Sequence, residues 1–283
     1  MDHADRLNGK AASVDSSRPV HVAAVASCGI AFMAKASVPG RAKTRLVPPL
    51  TFDEAAALNT AFLQDVADNV LLAASHAAAD AGIAAYAAFG PSGTEDFFHR
   101  TLPASIGLIE AWLPNFGDCL LHAIGEILAR GHNSAVVLNS DSPTLPTTLL
   151  IETAAVLAAP GDRAVLGPSS DGGYYLLGLK AAHRRVFEDV AWSTEWVAAQ
   201  TLERARDIGL EVHRLPVWYD VDDVESLRRL RGELDEPETA PRRSDPHRPH
   251  HAGHSAALLN GFWHSRDFSR RVDDPVRIEP LRA

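Results

Sequence analysis

The chain has 283 residues with 46% apolar content, enough for one large core or two small ones. Its 27 Lys and Arg stand against 36 Asp and Glu, a formal net charge of -9, so binding to nucleic acid through a broad basic face is not indicated. Two cysteines, Cys28 and Cys119, cannot build a disulfide framework or a zinc spacing, and no stretch has the length of a membrane helix, which favours a cytoplasmic protein without a membrane partner.

Residues 1–18 are polar and mixed in charge and are read as a disordered extension. Val20 to Ala34 is apolar like a signal-peptide core, and Val25-Ala26-Ser27-Cys28 loosely resembles a lipoprotein cleavage site. No basic cluster precedes it, however, and the run leads straight into Lys35. Cys28 to Ala34 therefore reads as the first strand. The loop after it, Lys35 to Leu46, holds Gly40 and four cations, Lys35, Arg41, Lys43 and Arg45. So much positive charge at the end of a strand in an acidic protein suits an anion. Phosphate is the natural candidate, because loop N–H groups and cationic side chains both donate to it. A solvated basic loop is the plainer alternative.

Thr51-Phe-Asp-Glu54 has the form of a capping box, and Leu58, Phe62, Val66 and Val70 recur at helical spacing over Ala55 to Ser75. Strands are expected over Ile83 to Phe89 and Ile106 to Ala111, with a short polar helix, Glu95 to Arg100, between them. Gly117-Asp118 introduces a helix from Cys119 to Arg130, closed by Gly131. The alternation of strand and helix argues for βαβ units.

Ala135 to Leu138 runs apolar without alternation, as a strand covered on both faces would, and stops at Asn139-Ser140-Asp141-Ser142-Pro143. Asp141 thus lies at the carboxyl end of a central strand, where open α/β sheets bind ligands. Asn139 tolerates a left-handed turn. The plain alternative is a turn aspartate capping the helix Pro146 to Leu157. A short strand, Ala164 to Leu166, leads to Asp171-Gly172-Gly173 and a strand Tyr174 to Leu179. The two glycines permit close approach of a ligand, while Asp-Gly equally suits a hairpin turn. Ser193 or Thr194 is expected to cap a helix to Ile208, followed by a strand from Glu211 to Pro216 and a closing helix from Val224 to Arg231. Between these last two, Asp220 and Asp222 lie two apart on an extended segment and point the same way. Paired carboxylates of this kind favour a hard cation, although Asp222 and Asp223 also suit a helix N-terminus. Residues 235–283, with eight Arg, eight acids, six Pro and five His, are read as a largely disordered tail, leaving residues 19–234 as the folded domain. His247, His250, His251 and His254 could chelate a metal weakly, but a solvated tail explains them as well.

Taken together, Phe32 to Leu46, Gly117-Asp118, Ser140 to Pro143, Gly167 to Tyr175, Trp192-Ser-Thr194 and Asp220-Val-Asp222 resemble the DUF2064 family over about residues 28–232. These are GT-A-like glycosyltransferases, some of them associated with arsenosugar biosynthesis. The resemblance implies a three-layer α/β/α sandwich with a mixed, mainly parallel sheet of the nucleotide-diphospho-sugar transferase type. It further implies a transferase that moves a sugar from a nucleotide donor to a small-molecule acceptor with Mg²⁺ or Mn²⁺. Carried onto this sequence, Lys35, Gly40, Arg41, Lys43 and Arg45 would hold the nucleotide phosphates, and Asp118 would lie near the ribose or base. Asp141 with Asp220 or Asp222 would hold the metal. Asp171, a candidate proton acceptor, would lie with Gly172 and Gly173 on the acceptor side. Asn139 stands where the family commonly has glycine, and the usual Gln and Gly before Gly117 are absent. Two other functions fit the same residues: nucleotidyl transfer from an NTP with release of pyrophosphate, and nucleotide binding without turnover.

Overall fold

The computed structural model describes residues 27–77, 82–235 and 247–273. The N-terminal extension expected to be disordered and the start of the signal-like segment lie outside the described residues, as do 78–81, 236–246 and 274–283. Among the described residues, no helix is long and apolar enough to cross a membrane.

The chain forms β1 (Ser27–Lys35), α1 (Phe52–His76), β2 (Gly82–Gly90), α2 (Glu95–Thr101), β3 (Gly107–Glu110), α3 (Phe116–Ala129) and β4 (Ser134–Leu138) in its first half. The second half adds α4 (Thr147–Ala158), β5 (Ala164–Pro168), β6 (Tyr174–Leu179), α5 (Val197–Asp207), β7 (Val212–Arg214), α6 (Val224–Asp235), α7 (Gly253–Trp263) and α8 (Arg266–Asp273). One seven-stranded sheet has the order β3-β2-β1-β4-β6-β5-β7. β6 runs antiparallel to both neighbours, and all other pairs are parallel.

The unbroken apolar runs follow from two-sided burial. In β1, Ile30 and Phe32 enter one core with α1 and α4, and Ala31 and Met33 face the other with α3 and α5. Val136 and Leu138 of β4 divide from Ala135 and Val137 in the same way. Period-two alternation is present in space but hidden in sequence, because both faces are dry. The expected three-layer sandwich with a mixed, mainly parallel sheet is therefore observed.

Local signals fix most boundaries. The capping box at α1 forms as expected: Thr51 Oγ1 accepts from Glu54 N at 3.2 Å, and Glu54 Oε2 accepts from Thr51 N at 2.8 Å. Three local readings need correction. Asn139 does not adopt a left-handed backbone, whereas Lys43, in the loop after β1, does, at φ 50°. Neither Ser193 nor Thr194 caps α5, which starts later, after Trp196 and without a side-chain cap. Thr194 instead closes its own turn, donating to Ala191 O at 2.7 Å.

The third correction concerns the tail. Residues 253–273 form two helices, α7 and α8, packed against α1 and α6. Leu259, Phe268 and Val272 are buried with Leu58 and Phe62 of α1 and Leu227 and Leu230 of α6. The composition is that of a solvated tail, yet among the described residues Leu258, Leu259, Phe262, Trp263, Phe268 and Val272 pack into one apolar cluster with α1 and α6. Polar anchors add to this. Asp65 of α1, almost wholly buried, accepts from His254 N at 2.8 Å and Ser255 N at 2.9 Å, and so caps α7 from another helix. Arg271 of α8 donates to both oxygens of Glu54, at 2.7 and 2.9 Å, and to Pro49 O.

Candidate functional site

The parallel strands β1, β2 and β4 end together, and a cavity of about 420 Å³ opens above them. Open α/β sheets carry ligands in this place because the loops diverge there. Lys35, Arg41, Lys43 and Arg45 line it from the first loop, Asn139 to Asp141 from the end of β4, and Asp222 from the segment before α6.

At its base, the Lys43 ammonium lies 2.7 Å from Asp141 Oδ1 and 3.4 Å from Asp222 Oδ1. It also donates to Val221 O at 2.7 Å and stands 4.9 Å over the Phe62 ring. Its side chain is only 5% exposed. Arg45 Nη1 donates to Asp222 Oδ2 at 3.0 Å from an open position. A buried ammonium is stable only where anions and acceptors surround it, so the geometry ties these groups into one unit.

Two segments far apart in sequence meet here because their backbones are joined. Val221 N donates to Asp141 O at 2.8 Å, and Ser142 Oγ donates to Tyr219 O at 2.8 Å. Asp223 is the helix cap, accepting from Ser226 N at 2.8 Å, which leaves Asp222 to face the cavity. Asp141 is no helix cap, since Pro146 stands at the N-cap of α4 and no side chain caps that end.

Asp220 belongs to a neighbouring group. It accepts from Ser169 Oγ at 2.8 Å. Burial, and then the like charges of Asp171 and Asp222, push its pKa up to about 6 despite the Ser169 bond. It does not line the cavity, and among the described residues no three His, Cys, Asp or Glu side chains are grouped to hold a metal ion. The pair Asp141 and Asp222 nevertheless fits a hard cation, because carboxylate oxygens from both already converge on one positive charge.

The remaining expected site residues are more dispersed. Asp171 is exposed in the β5–β6 connection, where Gly173 N donates to its Oδ1 at 2.9 Å and Ser169 N to Gly173 O, so the hairpin-turn reading describes this segment well. The space at Gly172, φ +91°, is taken by the chain itself: a Cβ there would lie 2.1 Å from Glu195 O. Asp118, in the first turn of α3, accepts from Asn115 Nδ2 at 3.0 Å and does not line the cavity. Gly40 supplies its turn at φ +75°. Unforeseen from sequence were the Lys43 pairing and two aromatic lining residues, Trp112 and Phe116. No local pattern marked them, since Trp112 directly follows the apolar run Ile106 to Ala111.

A structure described as a "putative nucleotide-diphospho-sugar transferase" from Desulfovibrio desulfuricans G20 is 26% identical, with a TM-score of 0.68, over 87% of this chain and 97% of the other. A manganese complex of Rv0371C from Mycobacterium tuberculosis H37Rv is 17% identical with a TM-score of 0.42, over 73% of this chain and 97% of the other. A CMP:2-keto-3-deoxy-manno-octonic acid synthetase complexed with CTP is 12% identical with a TM-score of 0.45, over 73% and 98%. No curated protein matches. The model of DUF2064, "Uncharacterized protein conserved in bacteria", matches residues 72–194, from the end of α1 to the loop before α5. The stretch so matched contains β4 and Asp141, and over it the chain is similar to DUF2064.

Proposed function

We propose that the chain is a transferase for nucleotide-activated substrates, a glycosyltransferase that moves a sugar from a nucleotide donor to a small-molecule acceptor. The observation that carries this reading is the Lys43 ammonium shared by Asp141 and Asp222 at the base of a cation-lined cavity. Opposed charges held this close, on a face open to solvent, form a site ready to exchange internal partners for a phosphate and its counter-ion.

In this reading Lys43 and Arg45 turn from Asp141 and Asp222 toward the diphosphate, with Lys35 and Arg41 at the rim. Asp141 and Asp222 would hold Mg²⁺ or Mn²⁺, which when bound neutralises charge on the phosphate oxygens. The acceptor hydroxyl attacks the sugar carbon, the bond from that carbon to the phosphate oxygen breaks, and the nucleoside diphosphate leaves with both bonding electrons. Asp171 takes the hydroxyl proton, with Asp220 behind it as the neighbouring carboxylate. Gly173, beside Asp171, would lie on the acceptor side of the entrance. The catalytic body is residues 19–234, to which the C-terminal helices are docked.

A thermal-shift screen of UDP-, GDP-, ADP- and CDP-sugars beside the four NTPs, each with Mn²⁺, Mg²⁺ or EDTA, tests this, since a ligand of the native state raises Tm. A metal-dependent shift with a nucleotide sugar, followed by sugar transfer without pyrophosphate, is the expected result. Pyrophosphate released from an NTP would instead make the chain a nucleotidyltransferase. Asp141→Asn should abolish turnover and keep the fold; full activity in that variant would overturn the metal assignment.

A further inference from the structure

Besides the cationic loop, the cavity has a second lining of different chemistry. Trp112 follows β3 and Phe116 opens α3; both line the cavity, and they are 50% and 51% exposed. Large aromatics left this open cost hydrophobic free energy unless something covers them.

Their positions are held in place by the fold. β2 ends at Gly90, directly in register with Lys35 of β1, and Ala111 N donates to Phe89 O at 2.9 Å, which brings the start of the Trp112 loop to the same sheet end. A Cβ at Gly90 would lie 2.3 Å from Cε3 and 2.8 Å from Cδ2 of Trp112, so only glycine lets the indole settle on the strand end. Phe116 meets Trp192 edge to face, with centroids 5.5 Å apart, and a Cβ at Gly117 would come within 2.8 Å of that same Trp192 ring. Two glycines thus make room for an aromatic array beside the cations.

A ligand that satisfies both walls has an anionic end and a flat, π-bearing end. We propose that Trp112 and Phe116 form the stacking wall for the nucleobase of the nucleotide whose phosphates meet Lys35 to Arg45, an inference that rests on the transferase reading above. Little on this wall reads base edges. The Cys119 thiol is engaged with the backbone of Leu113, and at the cationic loop the Asn59 amide is already taken, donating to Lys35 O and Ser37 Oγ. Stacking is tolerant of base identity because every base presents a π-face. The wall therefore grips the base without selecting it sharply.

The test uses the full chain and its Trp112→Ala, Trp112→Phe and Phe116→Ala variants, titrated calorimetrically with UDP, CDP, GDP, ADP and inorganic pyrophosphate. The wild type should bind the four diphosphates within about 10-fold of one another. Trp112→Ala should weaken all four by about 5- to 150-fold, Phe116→Ala by less, and Trp112→Phe should restore most of the affinity. Pyrophosphate should bind all four proteins alike. Nucleotide affinity unchanged in both alanine variants would overturn the stacking wall and leave the transferase reading intact, whereas pyrophosphate affinity falling in parallel would show a merely structural role. Wild-type protein that binds neither pyrophosphate nor any nucleotide would remove the transferase reading and this inference with it.

Discussion

Two carboxylate sites in this molecule address the same problem, a negative charge drawn out of water, in opposite ways. Asp65, on the middle of α1, is almost wholly buried and its oxygens are filled by two backbone N–H groups and a hydroxyl at the start of α7. Asp141 and Asp222 are 35% and 29% exposed in their side chains and are met by Lys43 and Arg45 across an open cavity. Backbone donors are fixed and leave no room for another partner. A lysine ammonium on a flexible stem can leave, and the cavity offers a place for what replaces it. Burial of a carboxylate therefore does not mark function here; exchangeable partners do. Exposed networks make the same point from the other side. Arg185 pairs with Asp189 and Asp207 on the surface, apart from the residues that line this cavity, and contributes local charge balance.

The contrast can be broken experimentally. The largest expected effect is on Lys43. Lys43→Met should weaken pyrophosphate binding by about 10- to 150-fold, as loss of a charge-assisted contact predicts. Asp65→Ala should leave that affinity unchanged, and calorimetric titration of both variants decides whether the two sites are as different as the geometry says. Asp65→Ala should instead lower unfolding stability by about 2 kcal/mol, because two amides of α7 lose their cap inside the protein; urea midpoints measure this. Amide exchange in α7 should rise before exchange in β1 does.

Arg271→Ala sharpens the comparison by releasing Glu54 and the Pro49 carbonyl together. A cost of about 1 to 2 kcal/mol is expected for this four-fifths-buried pair, with faster exchange over residues 44–54, which lead out of the basic loop. The smallest effect is a pH dependence. Burial depresses the pKa of His250 from 6.5 to about 4, with His251 adding to this and Asp68 opposing it. Between those two values the unfolded chain binds a proton that the folded chain refuses. Stability should thus fall as pH drops from 6.5 toward 4 and level off below. His250→Gln should flatten that slope by about 1 kcal/mol across the window, seen in urea midpoints at successive pH values. A slope unchanged in the variant would place the titration elsewhere.

Much of this was legible in the residue order. Capping chemistry gave the start of α1, and apolar runs gave β1 and β4, because those signals act within a few residues. Asp141 could be placed at a strand end for the same reason. The C-terminal helices were misjudged because their apolar content is sparse and their main anchors, Asp65 and Glu54, lie some 190 and 217 positions away. Gly172 was misjudged for a related reason: its freedom serves a neighbour, the Glu195 backbone, that no local pattern announces.

By itself, the sequence determined the kinds of element, their order, and which residues could carry charge chemistry, since propensity, capping and periodicity are short-range. Tertiary structure alone decided which of those charges meet. Lys43 reaches Asp141 and Asp222 because the Val221–Asp141 backbone bond draws two distant loops together over β1 and β4. Asp223, one residue on, turns away to cap a helix. A single position separates a cavity carboxylate from a helix cap, and that choice rests on how a segment docks across the sheet end, which no neighbouring residue encodes.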